Sequence, residues 1–336
     1  MCYHDYEKSI VMKKWIFIFL LLACILPACK KDEKQLYTMA VFQVNDAPTL
    51  NEVRKGFIKA VEDRGYQNEK NIRLVFRNAF GDIKQMQRIA QQSVLKEVDL
   101  MIPFSTPSLQ AALHATEKIP IVFSSVANPY LAGAGKSAGD HLSHVTGVSS
   151  KGPIKQSLKF IKEVLPDTQR IGTLWTPSEI NSQYYLNLAR EGARDLGFRI
   201  IAVPVTKSSE VLLSAQELVN KNIDVIYQIS DNTINASFQA LSKVAEENTI
   251  PLFGGFLLST YEGACAALGW DFFDMGYKAG IIALRVMEGE NPALIPIENM
   301  KDVRLYINLS AAEKQGLRFP DAIIQRAHKV ETQYRE

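Results

Sequence analysis

Short apolar runs alternate with longer amphipathic segments from residue 37 onward. Residues 37–42, 72–76 and 98–102 are brief runs rich in branched and aromatic side chains, which predicts buried strands. Between them, apolar side chains recur every three to four positions, as in the segments that begin at Val53 and Ile83, which predicts amphipathic helices. Strands that alternate with helices predict parallel sheets joined by right-handed crossovers, with helices on both faces.

A second set of the same kind follows residues 128–146, a stretch rich in Gly, Ala and Ser. Its predicted strands are residues 171–175, 199–203, 225–227 and 251–253, and its predicted helices lie around residues 183–196, 210–220 and 232–246. Two such sets of alternating strands and helices predict two similar lobes, with a boundary near residues 147–152. The glycine-containing stretches 254–255 and 289–296 are candidates for further crossings between the lobes.

We therefore expect an α/β fold of two lobes joined by a hinge, each lobe a parallel sheet with helices on both faces. Lobe 1 is predicted to contain residues 37–147 and about 265–295. Lobe 2 is predicted to contain residues 148–264 and about 300–336.

The first 28 residues have the features of a signal peptide. Lys13 and Lys14 precede an unbroken apolar run of 12 residues, 15–26. A helix needs about 20 residues to cross a bilayer, so this run is too short to span one. A basic start, a short apolar stretch and small residues before a cleavage point are typical of export signals. We expect Met12 to be the functional start, with residues 1–11 either a mis-assigned extension or part of a long basic region.

The end of this segment, Leu26-Pro27-Ala28-Cys29, resembles the bacterial lipobox, in which the cysteine is lipidated and becomes the mature N-terminus. Residues 29–36 are then a charged tether between the lipid and the folded chain. This predicts an extracytoplasmic protein that a lipid on Cys29 alone holds to the bacterial membrane, on its periplasmic face or at the cell surface.

The composition excludes several classes of function. The 336 residues include 38 Lys and Arg against 36 Asp and Glu, a net charge of +2, so no cationic excess is available for nucleic acid. Three of the four cysteines precede residue 30, which leaves Cys265 without a disulfide partner, and no spacing typical of a zinc site occurs. We expect no metal and no cofactor. The sequence also lacks the nucleophile motif Gly-x-Ser-x-Gly, and no histidine lies in a strand-end motif. We therefore expect no enzymatic activity.

Several short motifs follow one another along the chain. They are Val41-Phe42-Gln43-Val44, Arg54-Lys55-Gly56-Phe57, Ser105-Thr106-Pro107-Ser108-Leu109-Gln110-Ala111, Ile119-Pro120-Ile121-Val122-Phe123, Val145-Thr146-Gly147-Val148, Glu179-Ile180-Asn181-Ser182 and Ser230-Asp231-Asn232-Thr233. In this order they resemble the motifs of substrate-binding proteins of ABC importers, and more narrowly the group whose studied members bind aromatic amino acids. The resemblance covers residues 37 to about 320.

That resemblance implies a periplasmic binding protein type I-like fold that closes on a small molecule and delivers it to an ABC permease with a separate ATPase. A sensory lipoprotein, which presents its ligand to a membrane receptor, has the same fold and remains an alternative. A transcription regulator of this fold normally has a DNA-reading helical domain ahead of the lobes, where this chain has an export signal.

Three polar loops are candidates for the ligand site. Ser105, Thr106 and Ser108 follow a strand and begin a helix, where hydroxyl and N–H groups stabilise an anion such as a carboxylate. An ordinary helix cap would have the same sequence. We expect these residues to bind the carboxylate of an amino acid, with help from Asn181 and Ser182.

The ammonium is expected to bind Asp231, while Asn232 can bond either charged group. Asp231 has an alternative role as the cap of its helix. Relatives commonly carry Asp where this chain has Asn128, and an acid where it has Phe256, which instead offers a stacking surface. The full candidate set is Gln43, Ser105, Thr106, Ser108, Asn128, Glu179, Asn181, Ser182, Asp231, Asn232 and Phe256.

Aromatic residues cluster between Trp270 and Tyr277. They suit the edge of a ligand cleft, but the same spacing suits a helix packed against the first lobe. The sequence leaves both interpretations open.

Overall fold

Two sheets form the centre of the fold in the computed structural model, which describes residues 36–332. The predicted signal peptide, Cys29 and most of the tether lie outside the described residues. Within the range 36–332, no helix is both long enough and apolar enough to cross a bilayer.

The described chain contains strands in both lobes. In chain order they are β1 Thr38–Gln43, β2 Arg73–Asn78, β3 Leu100–Phe104, β4 Ile121–Val126, β5 Val145–Ser149, β6 Arg170–Trp175, β7 Arg199–Pro204, β8 Val225–Gln228, β9 Leu252–Gly254, β10 Ala266–Gly269, β11 Glu298–Asn299, β12 Arg304–Asn308 and β13 Lys329–Glu331. The first sheet has the order β11-β5-β4-β3-β1-β2, and the second has β13-β12-β10-β9-β8-β6-β7. The paired strands are parallel except for β10 and β12, which are antiparallel.

Helices cover both faces of each sheet. They are α1 Pro48–Asp63, α2 Ile83–Leu95, α3 Thr106–Ala115, α4 Ile154–Val164, α5 Ile180–Leu196, α6 Val211–Val219, α7 Asn232–Asn235, α8 Phe238–Glu247, α9 Phe272–Met287, α10 Leu309–Lys314 and α11 Asp321–Gln325. In the first lobe α1 packs on α9 and α2 on α3; in the second α4 packs on α5 and α6 on α8. The predicted two-lobed α/β fold is confirmed.

The helix predicted over residues 232–246 is divided in two. A turn at residues 236 and 237 separates α7, a single turn, from α8. Asp231 caps α7 by accepting a hydrogen bond from the N–H of Ile234. The start of this short helix therefore lies directly after β8, at the carboxyl edge of the second sheet.

The described chain crosses between the sheets at residues 149–154, 269–272 and 299–304. The first crossing lies at the boundary that the sequence suggested. The chain does not cross between the lobes at Gly254 and Gly255, because β9 and β10 are neighbours in the second sheet. A Cβ on Gly254 would lie 1.8 Å from Ser259 Oγ, so a tight turn within one lobe accounts for this glycine. Strand β10 was predicted to belong to lobe 1, but it lies in the second sheet. The chain returns to the first lobe only after Gly269.

Candidate functional site

The carboxyl ends of the strands in the two sheets enclose a small polar cavity. In an open α/β sheet this edge is the usual ligand position. The cavity is lined by Thr49, Thr106, Ser125, Ala127, Ser150, Asn181, Tyr185, Ser230, Asn232, Asn235 and Phe272. Its volume is about 10 Å³, room for about one water molecule. A larger ligand can enter only when the two lobes stand further apart.

The loop after β3 contributes one free hydroxyl to this cavity. The hydroxyls of Ser105 and Ser108 lie 2.9 Å apart and bond each other, and Ser105 Oγ also accepts from the N–H of Ser108. Ser105 therefore caps α3, and the Ser108 hydroxyl is bonded to that cap. Thr106, the first residue of α3, is buried, and its Oγ1 has no hydrogen-bond partner among the described residues. Of the three residues predicted here, the structure leaves only the Thr106 hydroxyl available to a ligand.

Asn181, at the start of α5, contributes a free acceptor from the other lobe. Its Nδ2 donates to Glu179 Oε2 at 2.9 Å, which fixes the orientation of the side-chain amide. Its Oδ1 is buried and unpaired within the described part of the chain. Because Glu179 holds the donor end, the acceptor end is the part of Asn181 that a ligand can use.

Glu179 is buried and fully bonded by the start of α7. Its carboxylate accepts from Asn232 Nδ2 at 2.6 Å and from Thr233 Oγ1 at 2.7 Å, as well as from both backbone N–H groups. These bonds hold Asn181 and Asn232 side by side at the cavity wall. Glu179 was predicted to contact the ligand, but in this structure it supports two residues that line the cavity.

Asp231 lies behind the cavity wall. Its carboxylate accepts from the Thr176 N–H at 2.9 Å, the Thr176 hydroxyl at 3.0 Å and the Ile234 N–H at 3.0 Å. Burial, and next the nearby Glu179 carboxylate, raise the pKa of Asp231 above its ordinary value. Asp231 therefore acts as the cap of α7, the alternative role that the sequence allowed. We do not assign the ligand's ammonium to it.

We expect Asp231→Asn to lower the free energy of unfolding by about 1–3 kcal/mol, measured by urea denaturation. The amide can still cap α7, but its NH₂ group faces donors on Thr176. Asp82→Asn is the matched control, because Asp82 is an exposed cap of α2 that accepts from Gln85. That change should alter stability by less than about 0.5 kcal/mol. Equal stability of the two variants would contradict this role for Asp231.

Two further candidates hold local structure beside the cavity. Gln43 Nε2 donates to the Asn45 carbonyl at 2.7 Å and to Asn51 Oδ1 at 2.9 Å, which ties β1 to α1. Asn128 Oδ1 accepts from the N–H groups of residues 130 and 131, which closes the turn after β4. Neither side chain lines the cavity.

Ser182 and Phe256 are also separate from the cavity. Ser182 Oγ accepts from the Thr176 N–H at 2.8 Å, so it supports the same loop as Asp231. Phe256 is fully buried and packs edge-on against Phe238, with ring centroids 5.3 Å apart. Its ring fills the core of the second lobe. It does not provide the stacking surface expected from the sequence.

Several residues that line the cavity were not predicted from the sequence. Tyr185 donates to the Ser150 carbonyl at 2.7 Å and accepts from the Gly152 N–H at 3.3 Å, so it spans the first crossing. Burial raises the pKa of its phenol to about 12, which keeps it a donor.

Phe272 belongs to the aromatic cluster between Trp270 and Tyr277. It lines the cavity, while α9 packs on α1, so the cleft-edge and the helix-packing interpretations each hold in part. Polar side chains just past a strand end, such as Ser150 after β5, were the available signal.

A direct hydrogen bond joins the two lobes across the cavity. Asn45 Nδ2, after β1, donates to the carbonyl of Asn232 at 2.8 Å. The carboxyl ends of β1 and β8 are therefore in contact in this structure.

Residues 38–331 match the family of ABC transporter substrate binding proteins, and the chain belongs to this family. A relative called tyrosine-binding protein, from Clostridioides difficile strain R20291, is 36% identical over 291 residues, which cover 86% of this chain and 84% of the relative. Proteins of this family bind solutes, a non-catalytic role, and act outside the cytoplasm.

Two solved structures show the same fold with different degrees of likeness. An ABC domain from Streptococcus pneumonia in complex with L-Trp has a TM-score of 0.84 at 24% identity, over 88% of this chain and 99% of that one. The ligand-free, open structure of a Clostridium difficile substrate binding protein with adhesive properties has a TM-score of 0.66 at 31% identity, over 89% and 100%.

Proposed function

We propose that this protein captures a free aromatic amino acid of the tyrosine and tryptophan class between its lobes and delivers it to an ABC permease with a separate ATPase. The observation that carries the proposal is the pair of buried, unpaired polar atoms in the cavity, Thr106 Oγ1 and Asn181 Oδ1. The names of the similar proteins, which bind tyrosine and L-Trp, support the ligand class.

The two atoms match the two ends of a zwitterion. Thr106 lies in the first turn of α3, where the helix dipole favours a carboxylate, and its hydroxyl donates to that group. Asn181 Oδ1 accepts from an ammonium. Thr106 belongs to the first lobe and Asn181 to the second, so one amino acid bonded to both stabilises the closed arrangement over the open one.

The described residues that line the cavity carry no formal charge. The ammonium is therefore bound by neutral acceptors, which agrees with the absence of acids at Asn128 and Phe256. The rings of Tyr185 and Phe272 supply apolar contact for an aromatic side chain. Because the cavity holds only about 10 Å³ here, the ligand-bound lobes stand further apart than in this structure.

Calorimetric titration with tyrosine, tryptophan and phenylalanine, and with their deaminated and decarboxylated analogues, tests this function. We expect saturable binding of the zwitterions and weaker binding of both kinds of analogue, since each analogue leaves one buried polar atom unpaired. Tighter binding of the deaminated acids than of the amino acids would contradict the proposal.

We also propose that a lipid on Cys29 holds the protein at the membrane, on the strength of the lipobox-like Leu26-Pro27-Ala28-Cys29. Holding the protein near its permease raises the local concentration of captured ligand at the point of delivery. Mass analysis of the protein from the membrane fraction should find a lipid-modified N-terminus at residue 29. An unmodified Cys29 would contradict the anchor.

A further inference from the structure

A second and larger pocket lies beside the cleft. It encloses about 400 Å³ between the start of α1, the 3₁₀ segment Leu257–Glu262 and the crossing that precedes α9. That volume falls within the range of about 300–1,000 Å³ typical of small-molecule sites. Phe272 lines both this pocket and the cleft cavity, so the two adjoin at this residue.

Four charged side chains line the pocket, and three of them already have partners. Glu52 bonds Lys55 at 2.6 Å, and Asp271 bonds Arg304 at 2.7 Å. Lys329 bonds the Glu331 carboxylate at 3.1 Å and the hydroxyl of Tyr261. These pairs leave the fourth side chain, Glu262, as the source of one uncompensated negative charge.

Glu262 forms neither a hydrogen bond nor an ion pair with any of residues 36–332. It is half-buried, and burial raises its pKa to about 7. A carboxylate that loses water without gaining a partner is unfavourable, and a cation beside it removes most of that penalty. The pocket therefore favours a ligand with a single positive charge.

The rest of the lining is aromatic and suits the body of such a ligand. Trp270, Phe272, Tyr261 and Tyr306 all contribute to the walls. The Lys329 ammonium lies 4.8 Å from the ring centroid of Tyr261 and 5.9 Å from that of Tyr306, so these rings already accept a cation. An additional carboxylate on the ligand would meet a Lys329 ammonium that is already bonded to Glu331 and Tyr261.

We propose that this pocket binds a small organic monoammonium compound with an aromatic body, whose ammonium pairs with Glu262. The site is separate from the amino-acid site of the proposed function. Residues of both lobes form its walls: α1 and α9 from the first, and the segment Leu257–Glu262 with β12 and β13 from the second. Occupancy therefore depends on the lobe angle, and by linkage an amine bound here changes the affinity of the cleft for its own ligand.

The pairing has a defined pH dependence. The charged groups that share the pocket with Glu262 are Glu52 and Asp271 from the first-lobe side and Lys329 from the second, and each is held in its own ion pair. The phenols of Tyr261 and Tyr306 line the same pocket. With its pKa raised to about 7, Glu262 is largely protonated at pH 6 and ionised at pH 8. Binding of a permanently charged amine should therefore strengthen as pH rises from 6 to 8.

Calorimetric titration with phenethylamine, in the presence of saturating tyrosine, tests the site on the whole protein. We expect saturable binding that Glu262→Gln weakens about tenfold, because the neutral amide loses the charge-assisted pairing. Glu52→Gln is the matched control in the same pocket and should change affinity less than about threefold, since Lys55 already holds that carboxylate. 3-Phenylpropionate, which has the same ring and the opposite charge, should not bind.

Tyrosine affinity separates this proposal from the amino-acid function. Glu262→Gln should still bind tyrosine, so loss of amine binding alone supports the second site. Equal phenethylamine affinity for wild type and Glu262→Gln would overturn it. Displacement of phenethylamine by tyrosine with a simple competitive dependence would also overturn it, because the amine would then occupy the cleft.

Discussion

Replacing Gly276 with Ala is expected to lower the free energy of unfolding by about 3 kcal/mol or more, measured by urea denaturation. Helices α1 and α9 pack backbone to backbone at this point. A Cβ on Gly276 would lie 1.9 Å from the Val53 carbonyl oxygen and 2.8 Å from the Val53 Cα, and a Cβ on Gly56 would lie 2.0 Å from the Phe273 carbonyl oxygen. No side chain can move to relieve such a contact, so the helices must separate and open the core around Phe57.

The displacement should also reduce ligand affinity, because α9 begins at Phe272 beside both pockets. Gly139→Ala is the control: its backbone is not left-handed, and a Cβ there would have no heavy atom within 4 Å. We expect that substitution to change stability by less than about 0.5 kcal/mol. Similar unfolding midpoints for the two variants would show that the helix contact is looser than described.

Much of the fold was predictable because strand and helix periodicities are local. The apolar run at residues 98–102 differs from β3 by two residues, and the predicted run 171–175 differs from β6 by one. The return to the first lobe was misplaced because β10 resembles any short buried strand. Its sheet is decided by pairing with β9 and β12, 12 or more residues away, and no local pattern records that pairing.

The candidate site was predictable at the level of loops but not of single residues. Ser105, Thr106 and Ser108 all suit a helix start, and only the folded chain shows that two of these hydroxyls bond each other. The role of Asp231 depends on Thr176, 55 residues earlier in the sequence. Phe256 follows a glycine pair typical of a loop, yet Phe238 from α8 buries its ring. Long-range partners decide which polar atoms stay free.

Asn181→Leu should weaken binding of the amino-acid ligand about 10- to 100-fold. The change keeps a side chain of similar size but removes Oδ1, the buried acceptor that we assign to the ammonium. A hydrogen bond to a charged group contributes about 1.5–3 kcal/mol, which corresponds to that range of affinity. Calorimetric titration with tyrosine and tryptophan measures the change directly.

The substitution also removes a donor to Glu179, so a control must separate that effect. Thr233→Val deletes a second donor to Glu179, its hydroxyl at 2.7 Å, without altering a residue that lines the cavity. We expect less than about threefold loss of tyrosine affinity for this variant. The deaminated analogue closes the cycle: it lacks the ammonium, so Asn181→Leu should not weaken its binding further. If the substitution costs the same affinity with and without the ligand's ammonium, Asn181 does not bind that group.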